Sequence, residues 1–250
     1  MSHPISPYRL SDQAILSTWE EGCRQSPLER ALTALRHAVP DEEKPGLDRW
    51  SIGQRDACLL RVYAATFGSR IAGTATCPHC GEKLDVVFDV ADICNPYGDS
   101  REEFELTIGA PTYHVVFRLP SSADLRGASA CESHEAARRA LAERCVVAAE
   151  REGEPIAVAT LPDEIIAAMG EAMAERDPQS DIRLDMTCPA CGQGWQVIFD
   201  IADFLWSAVA ARTRQLIVDV HTLALAYGWR EADILAMSAT RRQMYLDLVT

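Results

Sequence analysis

One 18-residue pattern occurs twice in this chain, and it constrains the fold more than any other feature. Thr76-Cys77-Pro78-His79-Cys80-Gly81, continuing through Val86-Val87-Phe88-Asp89-Val90-Ala91-Asp92, recurs as Thr187-Cys188-Pro189-Ala190-Cys191-Gly192 through Val197-Ile198-Phe199-Asp200-Ile201-Ala202-Asp203. The offset is 111 residues throughout, and ten of the 18 aligned positions (76–93 against 187–204) are identical, too many for coincidence. Each copy reads as a CPxCG turn running into a strand. One CxxC turn supplies two of the four thiolates that tetrahedral zinc requires, so two turns complete a single closed site. Glycine after the second cysteine permits positive φ and lets backbone N–H groups point at sulfur. The expected ligands are Cys77, Cys80, Cys188 and Cys191, holding one structural Zn2+ with no open coordination position. Such a site clips together both ends of the 107 residues between the turns. Two other readings stay open. Cys-Pro-His-Cys also occurs in thiol oxidoreductases, where a helix N-terminus lowers the first thiol's pKa, although here a glycine and a strand follow. The thiols could also be reduced and free of metal.

Around the repeat, hydrophobic spacing divides the chain. Ser26-Pro27-Leu28-Glu29 starts a helix carrying Leu32 and Leu35. A second helix is expected from about Gln54 to Phe67, with Leu59, Leu60, Val62 and Tyr63 inward and Gly68 as its cap. Leu84, Val86, Phe88 and Val90 alternate as a strand with one wetter face, and Asn95-Pro96-Tyr97-Gly98 reads as a turn. Phe104, Leu106 and Ile108 form a further strand, Gly109-Ala110-Pro111 turns the chain, and Tyr113 to Leu119 returns. The pattern is then helical from about Ser133 to about Glu150. Pro162-Asp163-Glu164 opens another helix with Ile165, Ile166, Met169 and Met173 as its stripe. A strand from about Trp195 to Phe199 precedes a long helix, capped by Asp203 and ending near Tyr227, and two short helices finish the chain, the second capped by Ser238. The expected fold class is α+β. Helical N- and C-terminal regions (1–76 and 204–250) flank a zinc-ribbon-like β centre (77–203) with a long α/β insertion at about 94–186.

Charge sharpens this division. The chain carries 24 Lys+Arg and 37 Asp+Glu, a net −13, and at 48% hydrophobic it can bury a core. Residues 1–76 carry nine basic and nine acidic side chains, residues 77–187 ten and 22, and residues 188–250 five and six. The insertion between the turns therefore holds nearly all the excess. Phosphate binding needs clustered Lys and Arg, so general nucleic-acid or anionic-membrane binding is not expected. No basic flank leads into an apolar stretch at the N-terminus, and no segment approaches the ~20 apolar residues of a membrane span, so the expected setting is cytoplasmic.

No catalytic constellation stands out, and no enzyme is expected. His134-Glu135 is not HExxH, and no GxSxG, Walker or GxGxxG loop occurs. Glu102-Glu103 and Asp163-Glu164 read as solvated or helix-start charges. His79 is expected to point to solvent, Cys58 and Cys145 to be small core residues, and Cys94 stays open as a neighbour of the metal. Cys23 and Cys131 are scattered. Arg241-Arg242 offers a phosphate contact, but Glu231, Asp233 and Asp247 make a poor basic face around it. Trp206, Tyr227, Trp229 and Tyr245 read as core or interface aromatics.

The two CPxCG turns, a Phe-Asp-Ile-Ala-Asp-Phe-Leu-Trp helix entry at 199–206 and the tail from Ala226 to Leu246 together resemble the T4-type baseplate hub assembly chaperones. These are bacterial and prophage proteins found with contractile phage tails and contractile injection systems. The likeness includes Arg55-Asp56 with Leu59-Leu60, Leu119-Pro120 with Asp124-Leu125, and Asp177-Pro178. It implies non-enzymatic work in the bacterial host cytoplasm, with association to the particle left open: binding a baseplate or hub protein and helping it assemble. Alternatives from other classes are a zinc-ribbon adaptor on nucleic acid or the transcription machinery, and a CxxC dithiol oxidoreductase.

Overall fold

The computed structural model describes residues 8–95 and 102–249 and mixes helices with small antiparallel sheets. In chain order the first elements are α1 (Asp12–Gly22), α2 (Pro27–Ala38), α3 (Ile52–Phe67), β1 (Arg70–Thr76), β2 (Lys83–Asp89) and α4 (Val90–Ile93). Next come β3 (Phe104–Ile108), β4 (Tyr113–Phe117), α5 (Ser122–Ala128), α6 (His134–Cys145), β5 (Val146–Arg151) and β6 (Glu154–Pro155). The last are α7 (Asp163–Arg176), β7 (Arg183–Thr187), β8 (Gly194–Ile198), α8 (Ile201–Tyr227), α9 (Glu231–Leu235) and α10 (Ala239–Leu246). Of the Asn95–Gly98 turn, residues 96–98 lie outside the described residues.

These elements group into two units. The helical one takes the residues through Lys44, Val62–Gly68 and those from Ile201 onward, so both ends of the chain share it. Short polar side chains set its helix starts, each accepting an N–H that has no partner within the helix. Ser11 Oγ accepts from Ala14, Ser26 Oγ from Glu29 and Ser238 Oγ from Arg241. Helix α8 begins at Ile201, which puts Asp203 inside its first turn and not before it as the cap. Helices α1, α2 and α8 pack on one another. Their buried contacts come from Ile15, Leu16, Leu32, Leu35, Leu205, Val209 and Leu216, each worth about 1.5–3 kcal/mol against exposure. At the far end Leu223, Ile234 and Leu246 form a smaller core that holds α9 and α10 to α8.

The mixed unit covers Pro45–Arg61 and Ser69–Asp200. Its largest sheet has the order β3-β4-β5-β6 and lies on α7. Phe104, Tyr113, Val115, Phe117, Cys145 and Ala149 pack there against Ile165, Ile166, Met169 and Met173. The expected helix to about Glu150 stops at Cys145, and residues 146–151 form β5. Ala148 and Ala149 favour helix in isolation, but pairing with Val116 and Val115 on β4 and the β-branched Val146-Val147 override that preference. Strands β1 and β7 pair with β2 and β8 as two separate antiparallel hairpins.

Two polar networks brace this unit. Asp124, buried at the start of α5, accepts a two-pronged Arg118 fork at 2.6 and 2.9 Å and completes a capping box with Ser121. Burial raises its carboxyl, yet the Arg118 and Ser121 hydrogen bonds outweigh that and hold it at about 2. Asp177 accepts the Gly53 N–H at 2.9 Å. A Cβ on Gly53 would lie 1.8 Å from the Asp177 Oδ1, so only glycine allows this approach.

Candidate metal centre

Each cysteine pair sits in the connection of a two-stranded hairpin. Strand β1 ends at Thr76 and β2 begins at Lys83; β7 ends at Thr187 and β8 begins at Gly194. The two turns close with the same bonds. Cys77 N–H donates to the Glu82 carbonyl at 2.8 Å, and Gly81 N–H to Cys77 at 3.0 Å. In the second copy Cys188 N–H donates to Gln193 at 3.0 Å, and Gly192 N–H to Cys188 at 2.8 Å. Gly81 and Gly192 have φ of 77° and 72°, left-handed backbone that a Cβ disfavours. The repeat in the sequence is thus a repeat in hydrogen bonding.

The structure brings all four predicted site residues together. The Sγ atoms of Cys77, Cys80, Cys188 and Cys191 lie within 4.8 Å of one another, a set that could hold a metal ion. Close approaches run between the copies: Cys77 to Cys191 is 3.8 Å and Cys80 to Cys188 is 3.6 Å. These are far beyond the ~2.05 Å of a disulfide, and all four are free thiols. In each turn the first cysteine is buried and the second exposed. Burial raises the Cys77 thiol, but the backbone N–H groups of Cys80 and His79, with the neighbouring thiols, bring it down to about 7. At Cys80 the Glu82 N–H pulls down, and the Cys188 thiol, burial and the remaining thiols push up harder, to about 12. Phe88 and Phe199, equivalent by the 111-residue offset, meet edge to face with centroids 5.3 Å apart.

The remaining candidates separate clearly. His79 is exposed. Cys58 and Cys145 are buried core residues, and Cys94, half-buried at the end of α4, is not part of the thiol cluster. Cys23 is exposed and donates to the Glu20 carbonyl, and Cys131 is half-buried. Neither CxxC sits at a helix N-terminus; each lies between strands. Arg242 is not a surface cation. It is 1% exposed and paired with Asp12 and Asp219, which leaves Arg241 as the exposed member of the pair, over the Tyr245 ring. Trp206 packs under the Arg30 guanidinium at 4.6 Å, and Tyr227, Trp229 and Tyr245 form one aromatic cluster. Sequence reasoning missed what Arg55, Asp56 and Asp177 do: all three are buried, and Arg55 Nε donates to Asp56 at 2.7 Å.

Among the described residues no helix is long and apolar enough to cross a membrane. The chain matches no curated protein and no solved structure. The family described as T4 bacteriophage base plate protein has a model that matches residues 2–206, through both cysteine turns and into α8, and the chain belongs to that family.

Proposed function

We propose that this protein is a non-enzymatic assembly chaperone or structural accessory of the baseplate or hub of a contractile tail or contractile injection system. In this reading Cys77, Cys80, Cys188 and Cys191 hold one structural zinc ion. Family membership across residues 2–206 is the observation that carries the role. The metal rests on the donor set. Four thiols select soft or borderline ions and not calcium or magnesium, which take oxygen. A tetrahedron with Zn–S near 2.3 Å has sulfur–sulfur edges of about 3.8 Å. The two cross-copy distances are 3.8 and 3.6 Å. Zinc bound there would keep the cysteines deprotonated and add its binding free energy to folding. With all four positions taken it would leave no place for substrate, which fits a structural and not a catalytic ion.

The proposed setting is the bacterial host cytoplasm and the assembling particle. The net −12 of residues 77–187 suits a partner surface with basic character, where charge complementarity sets orientation and encounter rate. Co-expression with the baseplate and hub proteins encoded beside the gene tests the role. A complex that survives size-exclusion chromatography, with one zinc per chain by elemental analysis, is the expected result. No complex with any of them, together with salt-sensitive DNA or RNA binding, would transfer the reading to a nucleic-acid adaptor. Protein purified without chelator that holds no metal and has four titratable thiols would remove the zinc.

A further inference from the structure

The four-stranded sheet of the mixed unit has two unlike edges. At one of them β6 is only two residues long and ends in Pro155, which has no N–H to offer a further strand. The other edge is β3, five residues without a proline. Backbone groups along an antiparallel strand alternate between its two sides. Glu152 N–H donates to the Thr112 carbonyl, so Thr112, His114 and Val116 face β5, while Tyr113, Val115 and Phe117 face β3. The register partners of those three are Ile108, Leu106 and Phe104. Glu105 and Thr107 are left facing outward. Both are exposed, and among the described residues their backbone N–H and C=O groups have no partner.

Two further observations describe what would fit along this edge. The first is apolar. Val115 and Phe117 on β4 are fully buried, whereas Leu106 and Ile108 pack on the same core from β3 and stay half-buried, because no strand flanks them on the outer side. The second is charge. Glu102, Glu103 and Glu105 are exposed here, and Glu105, its side chain 73% exposed, has His114 Nε2 as its ion-pair neighbour at 3.6 Å. A second copy of β3 laid against the first would bring these like charges together, which disfavours self-pairing. A strand carrying basic side chains meets the opposite condition.

We propose that the outer edge of β3 receives an extended segment of a partner protein in which basic and apolar side chains alternate. The backbone of that segment bonds to the N–H and C=O groups of Glu105 and Thr107, as when a peptide adds a strand to an open sheet. Its basic residues stand beside Glu105 on the outer face, and its apolar residues cover Leu106 and Ile108 on the inner face, because side chains of a strand alternate between the two faces. The inference goes beyond the baseplate role: the edge is the same whichever protein supplies the segment, and zinc has no part in it.

The probe is an acetylated and amidated hexapeptide of alternating lysine and valine, titrated into the full-length protein and followed by amide NMR and hydrogen exchange. Controls are the glutamate–valine peptide and a scrambled lysine–valine peptide without alternation. Saturable shifts are expected at the amides of 104–108 with the alternating basic peptide alone. At a peptide concentration about ten times its Kd, exchange at Glu105 and Thr107 should slow about tenfold, since only the free fraction exchanges. Glu105→Lys should weaken binding about threefold, as for a solvent-accessible ion pair. Thr107→Pro removes an N–H that β4 does not use, so binding should be lost while the thermal midpoint stays near wild type. Equal shifts with all three peptides, no saturable shift, or wild-type affinity in both variants would overturn the proposal. Concentration-dependent protection of the same two amides without peptide would overturn it too, making a second copy the occupant. None of these outcomes involves a baseplate protein, so failure here is distinct from failure of the proposed role.

Discussion

Arg242 differs from its neighbour Arg241 in a way that composition cannot express. Its guanidinium donates to Asp12, 230 residues earlier, and lies 3.4 Å from Asp219, while Arg212 reaches Asp12 at 3.2 Å. Its Nη1 has no hydrogen-bond partner. Removing one member of a buried ion pair costs about 3–5 kcal/mol because the other charge stays behind unpaired. Arg242→Ala should therefore lower stability by about that much in urea melts, and Arg241→Ala by less than about 0.5 kcal/mol. Similar small losses for both would refute the buried pairing. Such a contact is illegible in sequence, since nothing local marks which of two adjacent arginines points inward. Acid behaviour is a second residue-scale consequence. Asp124 sits at about 2, below its unfolded value near 4, so its contribution is complete above about pH 4 and is lost as pH falls toward 2. Asp56 sits at about 6, so the native state binds its proton more tightly, and stability from this group falls as pH rises from about 4 through 6. Denaturation midpoints should accordingly lose their slope between pH 4 and 6 in Asp56→Asn, and lose part of the fall below pH 4 in Asp124→Asn. Slopes matching wild type in both windows would argue against these shifts.

Helices, strands and turns were legible where one residue type has one job. Ser26-Pro27 and Ser238 mark helix starts because a short hydroxyl can accept the free N–H groups there, and the structure uses both. The cysteine turns were legible for the same reason, with Cys-x-x-Cys-Gly spacing fixed by bond lengths and backbone geometry. Strands β1, β5 and β7 were missed because pairing with an adjacent strand decides them more than their own composition does. Arg70–Thr76 contains Gly73 and four alanine or threonine residues, and its strand character comes from pairing with Lys83–Asp89. Two tests belong here. Cys188→Ser should reduce zinc content and thermal stability together, and wild-type stability in that variant would separate the cluster from the fold. Gly81→Ala should cost about 1–2 kcal/mol from left-handed backbone alone, since its Cβ would meet nothing within 4 Å. No loss there would show that the turn relaxes.

Across the whole molecule, the sequence-level division into helical ends and an acidic middle described charge well and said less about which segments pack together. Residues 77–187 carry ten basic and 22 acidic side chains, and those among the described residues lie within the mixed unit. That the chain's two ends share one unit, with Val62–Gly68 beside them, was invisible locally because it depends on contacts such as Arg242 with Asp12. The tail that carried much of the early resemblance lies beyond the residues matched to the base plate family, yet Ile234, Leu246 and Arg242 bury it on α8. The four sulfurs within 4.8 Å also have a mechanical consequence. A metal ion bridging turns 111 residues apart would convert the intervening chain into a closed loop, shielded from tension applied at the two ends. In a single-molecule pulling experiment, chelation should release an extra contour of roughly 370–400 Å, the extended length of that loop at 3.3–3.6 Å per residue. With such a metal bound, the acidic segment would stay folded under tension until the ion was removed.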